Sequence, residues 1–198
     1  MWNEVFSTPE YIYGTEPCAF LLTCADLLRP GQSALSIADG EGRNSVWLAA
    51  QGLHVTAFDG SQAAIDKARA LAAQRGVTVD YHLSRAEDWD WSAQYDVVVG
   101  IFIQFAPPAL RARIFAGMKQ AVKPGGLILL QGYRPEQIAH GTGGPRNPDH
   151  LYTRALLQEA FGDFDILRLR EHDAVLAEGS GHAGMSALIE LVARAPKA

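Results

Sequence analysis

Two glycines and one aspartate carry the most specific chemical pattern in this 198-residue chain. Gly40 and Gly42 follow a short apolar segment and precede an apolar-periodic one, which is the pattern of a strand, a tight turn and a helix. Such a turn brings backbone amides close to a ligand, beside the positive end of a helix. Asp59 ends the next apolar segment, about 20 residues further on, where a carboxylate can bind the ribose hydroxyls of a nucleotide. The three residues therefore predict half of a binding site for a nucleoside-containing cofactor.

A regular alternation of strand and helix patterns must position this half-site. After the strand, turn and helix of residues 33–49, strands are predicted over 55–58, 77–83, 96–102 and 127–131. Helices are predicted over 20–28, 62–75, 109–122 and 152–161. Alternation of this kind indicates right-handed strand-helix-strand units and a doubly wound sheet.

The last two predicted strands, 164–177 and 185–193, are joined by the glycine-rich residues 178–184. This arrangement favours an antiparallel hairpin at the edge of the sheet. The expected fold class is α/β, with a doubly wound, mostly parallel, seven-stranded Rossmann-like sheet and a C-terminal antiparallel hairpin. Before it, residues 133–150 predict a long glycine- and proline-rich loop on the substrate side.

Length and composition narrow the class of protein. A chain of 198 residues suits a single domain over 1–198, with a cover segment and helix at 1–30, a cofactor-binding half at 31–132 and a substrate-side loop and hairpin at 133–198. The formal net charge of -5 gives no uniform positive surface for nucleic acid. We therefore expect a small-molecule substrate and no nucleic-acid partner, and we leave monomer and homodimer both open.

The two cysteines and the N-terminal residues give information about the cellular compartment of the protein. Cys18 and Cys24 have no histidine close by, which argues against a disulfide framework and against a metal site. No segment approaches the roughly 18 apolar residues of a membrane span, and the first residues lack a signal-peptide pattern. A cytoplasmic protein with no membrane association is expected.

The wording and order of the motifs resemble the class I S-adenosylmethionine-dependent methyltransferases, and more narrowly the small bacterial type related to the tellurite-resistance methyltransferases. The resemblance covers nearly the whole chain. The segments that carry it are Gly40-Glu-Gly-Arg-Asn-Ser45, Leu48-Ala-Ala-Gln-Gly52, Val55-Thr-Ala-Phe-Asp59 and Lys123-Pro-Gly-Gly126. It implies S-adenosyl-L-methionine as the cofactor and S-adenosyl-L-homocysteine as the product.

The resemblance also implies which residues surround this cofactor. The methionine part would lie on Gly40 and Gly42, and Asp59 would accept hydrogen bonds from both ribose hydroxyls. The other residues implied to contact the cofactor are Tyr13 over the methyl donor, Glu41, Arg43 and Asn44 around the turn, Gly60 and Ser61 beside the ribose or adenine, Ala86 and Glu87 at the adenine, and Ile101 near the sulfonium. The alternative for Tyr13 is that it packs the N-terminal segment onto the sheet.

Two positions depart from the common pattern of the superfamily. Ser36 stands where an acidic residue is usual, and Ala38 stands where the first glycine is usual. Asp39 occupies the variable position beside them. The missing carboxylate at Ser36 leaves the binding of the cofactor's amino group unassigned, and the spacing alone does not show whether Asp39 or Glu41 replaces it.

Methyl transfer from a sulfonium needs alignment of two reactants more than it needs many catalytic side chains. His182 is the candidate base or substrate-orienting residue, and a solvent-exposed histidine in a hairpin loop is the plainer interpretation. A soft nucleophile such as a thiol or a chalcogen oxyanion is the favoured acceptor. The alternatives are an NAD(P)-dependent oxidoreductase, whose cofactor uses a similar turn and carboxylate, and a non-catalytic S-adenosylmethionine-binding protein.

Overall fold

The computed structural model describes residues 2–197, and within them seven strands form one sheet. The strands are β1 (Ser33–Ile37), β2 (His54–Asp59), β3 (Val79–Leu83), β4 (Tyr95–Ile101), β5 (Val122–Tyr133), β6 (Asp165–Glu178) and β7 (His182–Arg194). The helices are α1 (Trp2–Val5), α2 (Ala19–Leu22), α3 (Arg43–Ala50), α4 (Gln62–Arg75), α5 (Pro108–Ala121), α6 (Gln137–His140) and α7 (Arg154–Phe161). The strand order is β3-β2-β1-β4-β5-β7-β6.

Strand directions confirm the predicted fold class. β1 and β3 both pair with β2 in parallel, and β4 pairs with β5 in parallel. β7 pairs with β5 in antiparallel register, from Leu127 opposite Arg194 to Tyr133 opposite Leu188. The sheet is thus mostly parallel, with the antiparallel C-terminal strands that the sequence predicts.

The chain divides into two compact units. The first comprises the residues up to 89 together with 178–181, and the second comprises residues 90–177 together with those from 182 onward. β1, β2 and β3 lie in the first unit, whereas β4, β5 and β7 lie in the second. The organisation into a single functional domain stays a prediction.

Helix α4 shows how local sequence sets an element of the first unit. The Ser61 hydroxyl accepts a hydrogen bond from the Ala64 amide and caps the start of the helix. Gly76 ends the helix in the left-handed conformation, which glycine adopts without a steric penalty. The predicted bounds of this helix, 62–75, are confirmed.

Three predicted elements differ from the structure. The loop expected over residues 133–150 contains the short helix α6 and a 3-10 turn at Pro148–His150. The helix expected over residues 20–28 is only α2 followed by a short 3-10 turn at Ala25–Leu27. The Thr23 hydroxyl donates a hydrogen bond to the Phe20 carbonyl at 2.7 Å, a local bond that competes with continuation of the helix. The turn between β6 and β7 is only residues 179–181, so the expected loop over 178–184 is too long and His182 lies in a strand.

None of the helices within residues 2–197 has the length and apolar character to cross a membrane.

Candidate cofactor and acceptor sites

The turn after β1 has an unusual backbone. Ala38, Gly40 and Gly42 all have positive φ angles, of 46°, 63° and 91°. Glycine tolerates this conformation, but an alanine there stores about 1 kcal/mol or more of strain. The alanine that replaces the usual glycine is therefore accommodated in the same left-handed conformation. We call residues Ala38–Gly42 the glycine turn.

Gly42 also lets the glycine turn pack closely on α4. A Cβ atom at this position would lie 2.7 Å from the Ala68 Cβ atom and 2.8 Å from the Ala68 Cα atom. Neither distance is possible for real side chains. At Gly40 the same construction meets only the Phe6 ring, at 3.6 Å. Gly42 thus serves helix packing, whereas Gly40 is buried against the Phe6 ring.

Asp59, the last residue of β2, contacts the glycine turn directly. Its Oδ2 atom accepts a hydrogen bond from the Gly40 amide at 2.9 Å, and its Oδ1 atom accepts one from the Ser61 amide at 2.8 Å. The residue is only 7% exposed, and burial raises the pKa of its carboxyl against the lowering effect of these backbone amides. Because each carboxylate oxygen has two lone pairs, both oxygens retain acceptor capacity for hydroxyl donors.

Asp39 lies within the glycine turn, and its side chain connects the turn to β1 and α3. Its carboxylate accepts hydrogen bonds from the hydroxyls of Ser36, at 2.6 Å, and Ser45, at 2.5 Å. The Ser45 hydroxyl lies 3.0 Å from the Tyr81 hydroxyl. Burial raises the pKa of Asp39 to about 6. The serine that replaces the usual acidic residue of β1 is thus a donor to this carboxylate, which braces the turn from inside the fold.

The three polar residues that follow in the motif, Glu41, Arg43 and Asn44, all bind chain segments. Glu41 Oε2 accepts hydrogen bonds from the amides of Ile12, at 2.8 Å, and Tyr13, at 3.3 Å. Arg43 pairs with Glu178, and Asn44 binds the backbone near the start of α2. We call residues Tyr11–Ala19, which these side chains hold, the strap.

The remaining predicted cofactor residues of the first unit lie in two groups. Tyr13 belongs to the strap, with its ring at 6.1 Å from the Phe6 ring in an edge contact. Burial raises the pKa of Tyr13. Ser61 and Gly60 follow β2, and a Cβ atom at Gly60 would lie 3.6 Å from the Arg85 Cγ atom.

The loop after β3 holds Ala86 and Glu87. Ala86 is buried, and Glu87 forms an ion pair with Arg85. Further along this loop Trp89 stacks on Phe58, with ring centroids 4.3 Å apart. Because Phe58 directly precedes Asp59, the stack fixes this loop against the end of β2.

In the second unit, three rings meet at the end of β4. Phe102 follows Ile101 and has a φ angle of 54°, which is rare for a bulky residue and typical of functional sites. Its ring centroid lies 4.7 Å from that of Tyr133 and 4.2 Å from that of His182. We call Phe102, Tyr133 and His182 the aromatic cluster. His182 is only 7% exposed. The interpretation of this residue as a solvent-exposed histidine is therefore wrong.

Gln104 fixes the position of this cluster. Its side-chain Oε1 accepts a hydrogen bond from the Tyr133 amide at 2.6 Å, and its Nε2 donates to the Tyr133 carbonyl at 2.9 Å. It also donates to the His150 carbonyl at 3.1 Å. Gln104 thus ties the end of β5 to the loop that precedes α7.

The comparisons with known proteins agree on one family. Residues 34–126 match the family model described as a methyltransferase domain. The match covers just under half of the chain and supports its similarity to the class I S-adenosylmethionine-dependent methyltransferases. The matched residues include the glycine turn and Asp59, the positions that the resemblance assigns to S-adenosylmethionine.

Curated relatives share the cofactor half of the methyltransferase domain. "Ubiquinone biosynthesis O-methyltransferase" of Paramagnetospirillum magneticum is 36% identical over 106 residues, which are 52% of this chain and 42% of that protein. A protein with the same printed name from Aromatoleum aromaticum is 34% identical over 103 residues, 50% of this chain and 43% of that one. The chain thus spans about two fifths of the length of these relatives.

Solved structures show the fold of the methyltransferase domain. TehB from Haemophilus influenzae has a TM-score of 0.72 and 20% identity, over 88% of this chain and 61% of that chain. The N-methyltransferase NodS from Bradyrhizobium japonicum WM9, in complex with S-adenosyl-L-homocysteine, has a TM-score of 0.74 and 12% identity, over 99% and 97%. At these identities the likeness concerns the fold alone.

Several residues of the methyltransferase domain escaped the sequence reasoning. Tyr81, Phe102 and Glu178 have no motif around them, although Phe102 follows a buried strand, which is a signal for a site position. Asp39 stands out in the sequence, but its hydrogen bond to Ser45 and the contact of Ser45 with Tyr81 do not, because Ser45 and Tyr81 lie 6 and 42 residues beyond Asp39. Only the fold brings their hydroxyls together.

Proposed function

We propose that the protein transfers the methyl group of S-adenosylmethionine to a small-molecule acceptor that carries an ionisable hydroxyl or thiol. The main support for cofactor binding is the Asp59 carboxylate, which is buried, accepts a hydrogen bond from the Gly40 amide and can still accept hydrogen bonds from hydroxyl groups. This donor and acceptor set fits a ribose, because two neighbouring hydroxyls can each donate to one carboxylate oxygen.

The cofactor supplies an electrophilic methyl group on a sulfonium. The chain's residues then have to hold both reactants in line and remove a proton where the acceptor has one. Asp59 and the amides of the glycine turn hold the nucleoside and the methionine part. Phe102, which is partly exposed and packs on the buried Tyr133 ring, offers an apolar contact for the acceptor.

His182 has the proton-accepting role in this proposal. It is buried in the aromatic cluster, and a neutral imidazole nitrogen is a common general base in enzymes. A nitrogen of this ring accepts the proton of the acceptor's hydroxyl or thiol as the methyl group is transferred. Its role as the catalytic residue is a proposal, as are the contacts of the cofactor with Tyr13, Ala86, Glu87 and Ile101.

An oxygen acceptor is favoured by the printed names of the curated relatives, which describe O-methyltransferases. The soft nucleophile favoured from the sequence stays a prediction, because a thiolate needs only positioning. Both classes are proposals for this chain, which covers less than half of those relatives. A small-molecule substrate rather than nucleic acid, and a cytoplasmic location, belong to the same proposal.

The test is a screen of S-adenosyl-L-homocysteine release across phenols, catechols, thiols, chalcogen oxyanions and small amines. We expect turnover with a hydroxyl or thiol acceptor and at least a hundredfold lower kcat in His182→Gln, the lower range for loss of a general base. Turnover confined to amines would contradict the acceptor class. Binding of S-adenosyl-L-homocysteine without turnover on any acceptor would favour a non-catalytic binding protein.

A further inference from the structure

The loop between β5 and α7 is held on β7 by the side chain of Gln137, within the second unit. Gln137 begins α6 and is only 1% exposed. Its Oε1 atom accepts a hydrogen bond from the Ala187 amide of β7 at 2.8 Å. Its Nε2 atom donates to the Thr142 hydroxyl at 3.0 Å and to the Gly143 carbonyl at 3.1 Å. One buried amide group thus joins β7 to residues 141–144, which we call the roof loop.

Gln137 takes the place of a strand at this point of the sheet. The pairing of β5 with β7 ends where Tyr133 lies opposite Leu188. Beyond it, the Arg134 amide donates to the Ala187 carbonyl at 2.9 Å, and the Ala187 amide donates to the Gln137 side chain. Because Ala187 is fully buried, loss of the Gln137 side chain leaves this amide without its acceptor in the interior of the unit.

The roof loop contacts β7 a second time, near the start of the strand. The Thr142 hydroxyl donates a hydrogen bond to the Met185 carbonyl. A Cβ atom at Gly184 would lie 2.7 Å from the Thr142 Cγ2 atom, which is too close for a real side chain. The roof loop therefore lies directly on the backbone of β7, two residues after His182.

The end of the roof loop lies on the aromatic cluster. A Cβ atom at Gly144 would lie 2.7 Å from the Tyr133 Cδ2 atom and 3.0 Å from its Cε2 atom. Gly144 is exposed, whereas the Tyr133 residue beneath it is only 1% exposed. The Tyr133 ring in turn lies edge-on to the His182 ring, with centroids 5.8 Å apart. The roof loop thus shields the Tyr133 ring and restricts its position beside the histidine.

We propose that Gln137 is a positioning residue for methyl transfer, which holds the roof loop on Tyr133 and thereby fixes this ring beside His182. This inference rests on the proposed function, in which Phe102 contacts the acceptor and His182 accepts its proton. Alignment of the two reactants is the main requirement of methyl transfer, so a small displacement of the rings around the acceptor lowers turnover. Loss of the Gln137 side chain therefore reduces turnover through the placement of Tyr133.

The first test replaces Gln137 by alanine in the full chain, labelled with carbon-13 in its histidine rings. The His182 signal is assigned by its loss in His182→Gln, and it reports the position of neighbouring aromatic rings. In Gln137→Ala we expect this signal to shift in the ligand-free protein. We also expect at least tenfold lower kcat/KM for the phenol, catechol or thiol with the highest turnover, and a Kd for S-adenosyl-L-homocysteine within twofold of the wild type. The matched control is Gln120→Ala, which removes an exposed side chain of α5 and should leave all three quantities unchanged.

Thr142→Val tests the same role without removing the acceptor of the Ala187 amide. It deletes the hydroxyl that binds both Gln137 and Met185, so it should shift the His182 signal and lower kcat/KM in the same direction as Gln137→Ala. This variant also decides the question if Gln137→Ala does not fold.

A pair of glycine variants moves the Tyr133 ring directly. Gly144→Ala places a methyl group against this ring, whereas Gly141→Ala, also at a positive φ angle, has no atom within 4 Å of the added methyl group. Because both variants carry the backbone strain, their difference isolates the contact with Tyr133. Only Gly144→Ala should shift the His182 signal and lower kcat/KM.

The outcomes separate this inference from the proposed function. An unchanged His182 signal or an unchanged kcat/KM in folded Gln137→Ala and Thr142→Val overturns the positioning role, even where the free energy of unfolding falls. Equal effects of Gly141→Ala and Gly144→Ala overturn it as well. A wild type without turnover on any acceptor contradicts the proposed function instead, and the His182 signal of the ligand-free variants still decides whether Gln137 and the roof loop fix the ring.

Discussion

The contact between Asp59 and the ribose can be tested by changing both partners. The Asp59→Asn variant keeps the size of the side chain but replaces one acceptor oxygen by a donor. Since the carboxylate is 7% exposed and already accepts the amides of Gly40 and Ser61, the substitution disturbs the turn as well as the ribose contact. A single measurement of affinity would not separate these two effects.

A cycle with two ligands separates them. S-adenosyl-L-homocysteine and its 2′-deoxy analogue differ by one ribose hydroxyl. A hydrogen bond to a buried charged group that loses its partner is worth about 1 to 3 kcal/mol, which corresponds to roughly 5- to 150-fold in affinity. We expect the wild type to prefer the hydroxylated ligand by that factor and Asp59→Asn to show little preference.

Isothermal titration calorimetry measures the four affinities of this cycle. Asp66→Asn is the control, because Asp66 lies on α4 with a side chain that is 64% exposed, and it should keep the wild-type preference. The reasoning is refuted if a folded Asp59→Asn discriminates between the two ligands as strongly as the wild type does. In that case the hydroxyl is bound by another group.

Three further predictions concern the turn and the acceptor site. Gly42→Ala should lower the free energy of unfolding by several kcal/mol in urea titrations, because the added methyl group overlaps Ala68. The control is Gly76→Ala, which is also at positive φ but has no atom within 4 Å of the added methyl group, and it should lose about 1 kcal/mol. Equal losses in the two variants would contradict the packing argument. Asp39 has a pKa of about 6 in the folded protein against 3.8 for the free group, so the folded state binds more protons than the unfolded state between these pH values. The free energy of unfolding of the wild type should therefore fall by about 2 to 3 kcal/mol relative to Asp39→Asn as the pH rises from 4 to 6. Parallel plots of unfolding free energy against pH for the two proteins would show that the Asp39 carboxyl titrates normally. His182→Gln should bind S-adenosyl-L-homocysteine with wild-type affinity while its kcat falls at least a hundredfold, and an unchanged kcat would assign the base elsewhere.

The fold was predictable because each element has a strong local signal. Apolar runs at β4 and β5, and the cap and stop residues of α4, specify strands and a helix without tertiary information. The hairpin was less predictable, since three glycines between residues 179 and 184 favour a loop. The structure instead places Gly184 inside β7, at a φ of 110°, against Thr142.

The cofactor half-site was predictable in its positions but not in the contacts of its side chains. The glycines and Asp59 follow from spacing, because backbone geometry and a carboxylate after β2 are local features. Whether Glu41, Arg43 and Asn44 contact a ligand or the chain depends on where distant segments lie. The strap and Glu178 reach them from up to 135 residues away, and no spacing rule describes that contact.

The central claim is that the glycine turn and Asp59 bind S-adenosylmethionine rather than a nicotinamide cofactor. The most direct measurement is calorimetric titration of the wild-type protein with S-adenosyl-L-homocysteine and, separately, with NADH. We predict saturable one-to-one binding of S-adenosyl-L-homocysteine and no measurable binding of NADH. Saturable binding of NADH together with no binding of S-adenosyl-L-homocysteine would contradict the account.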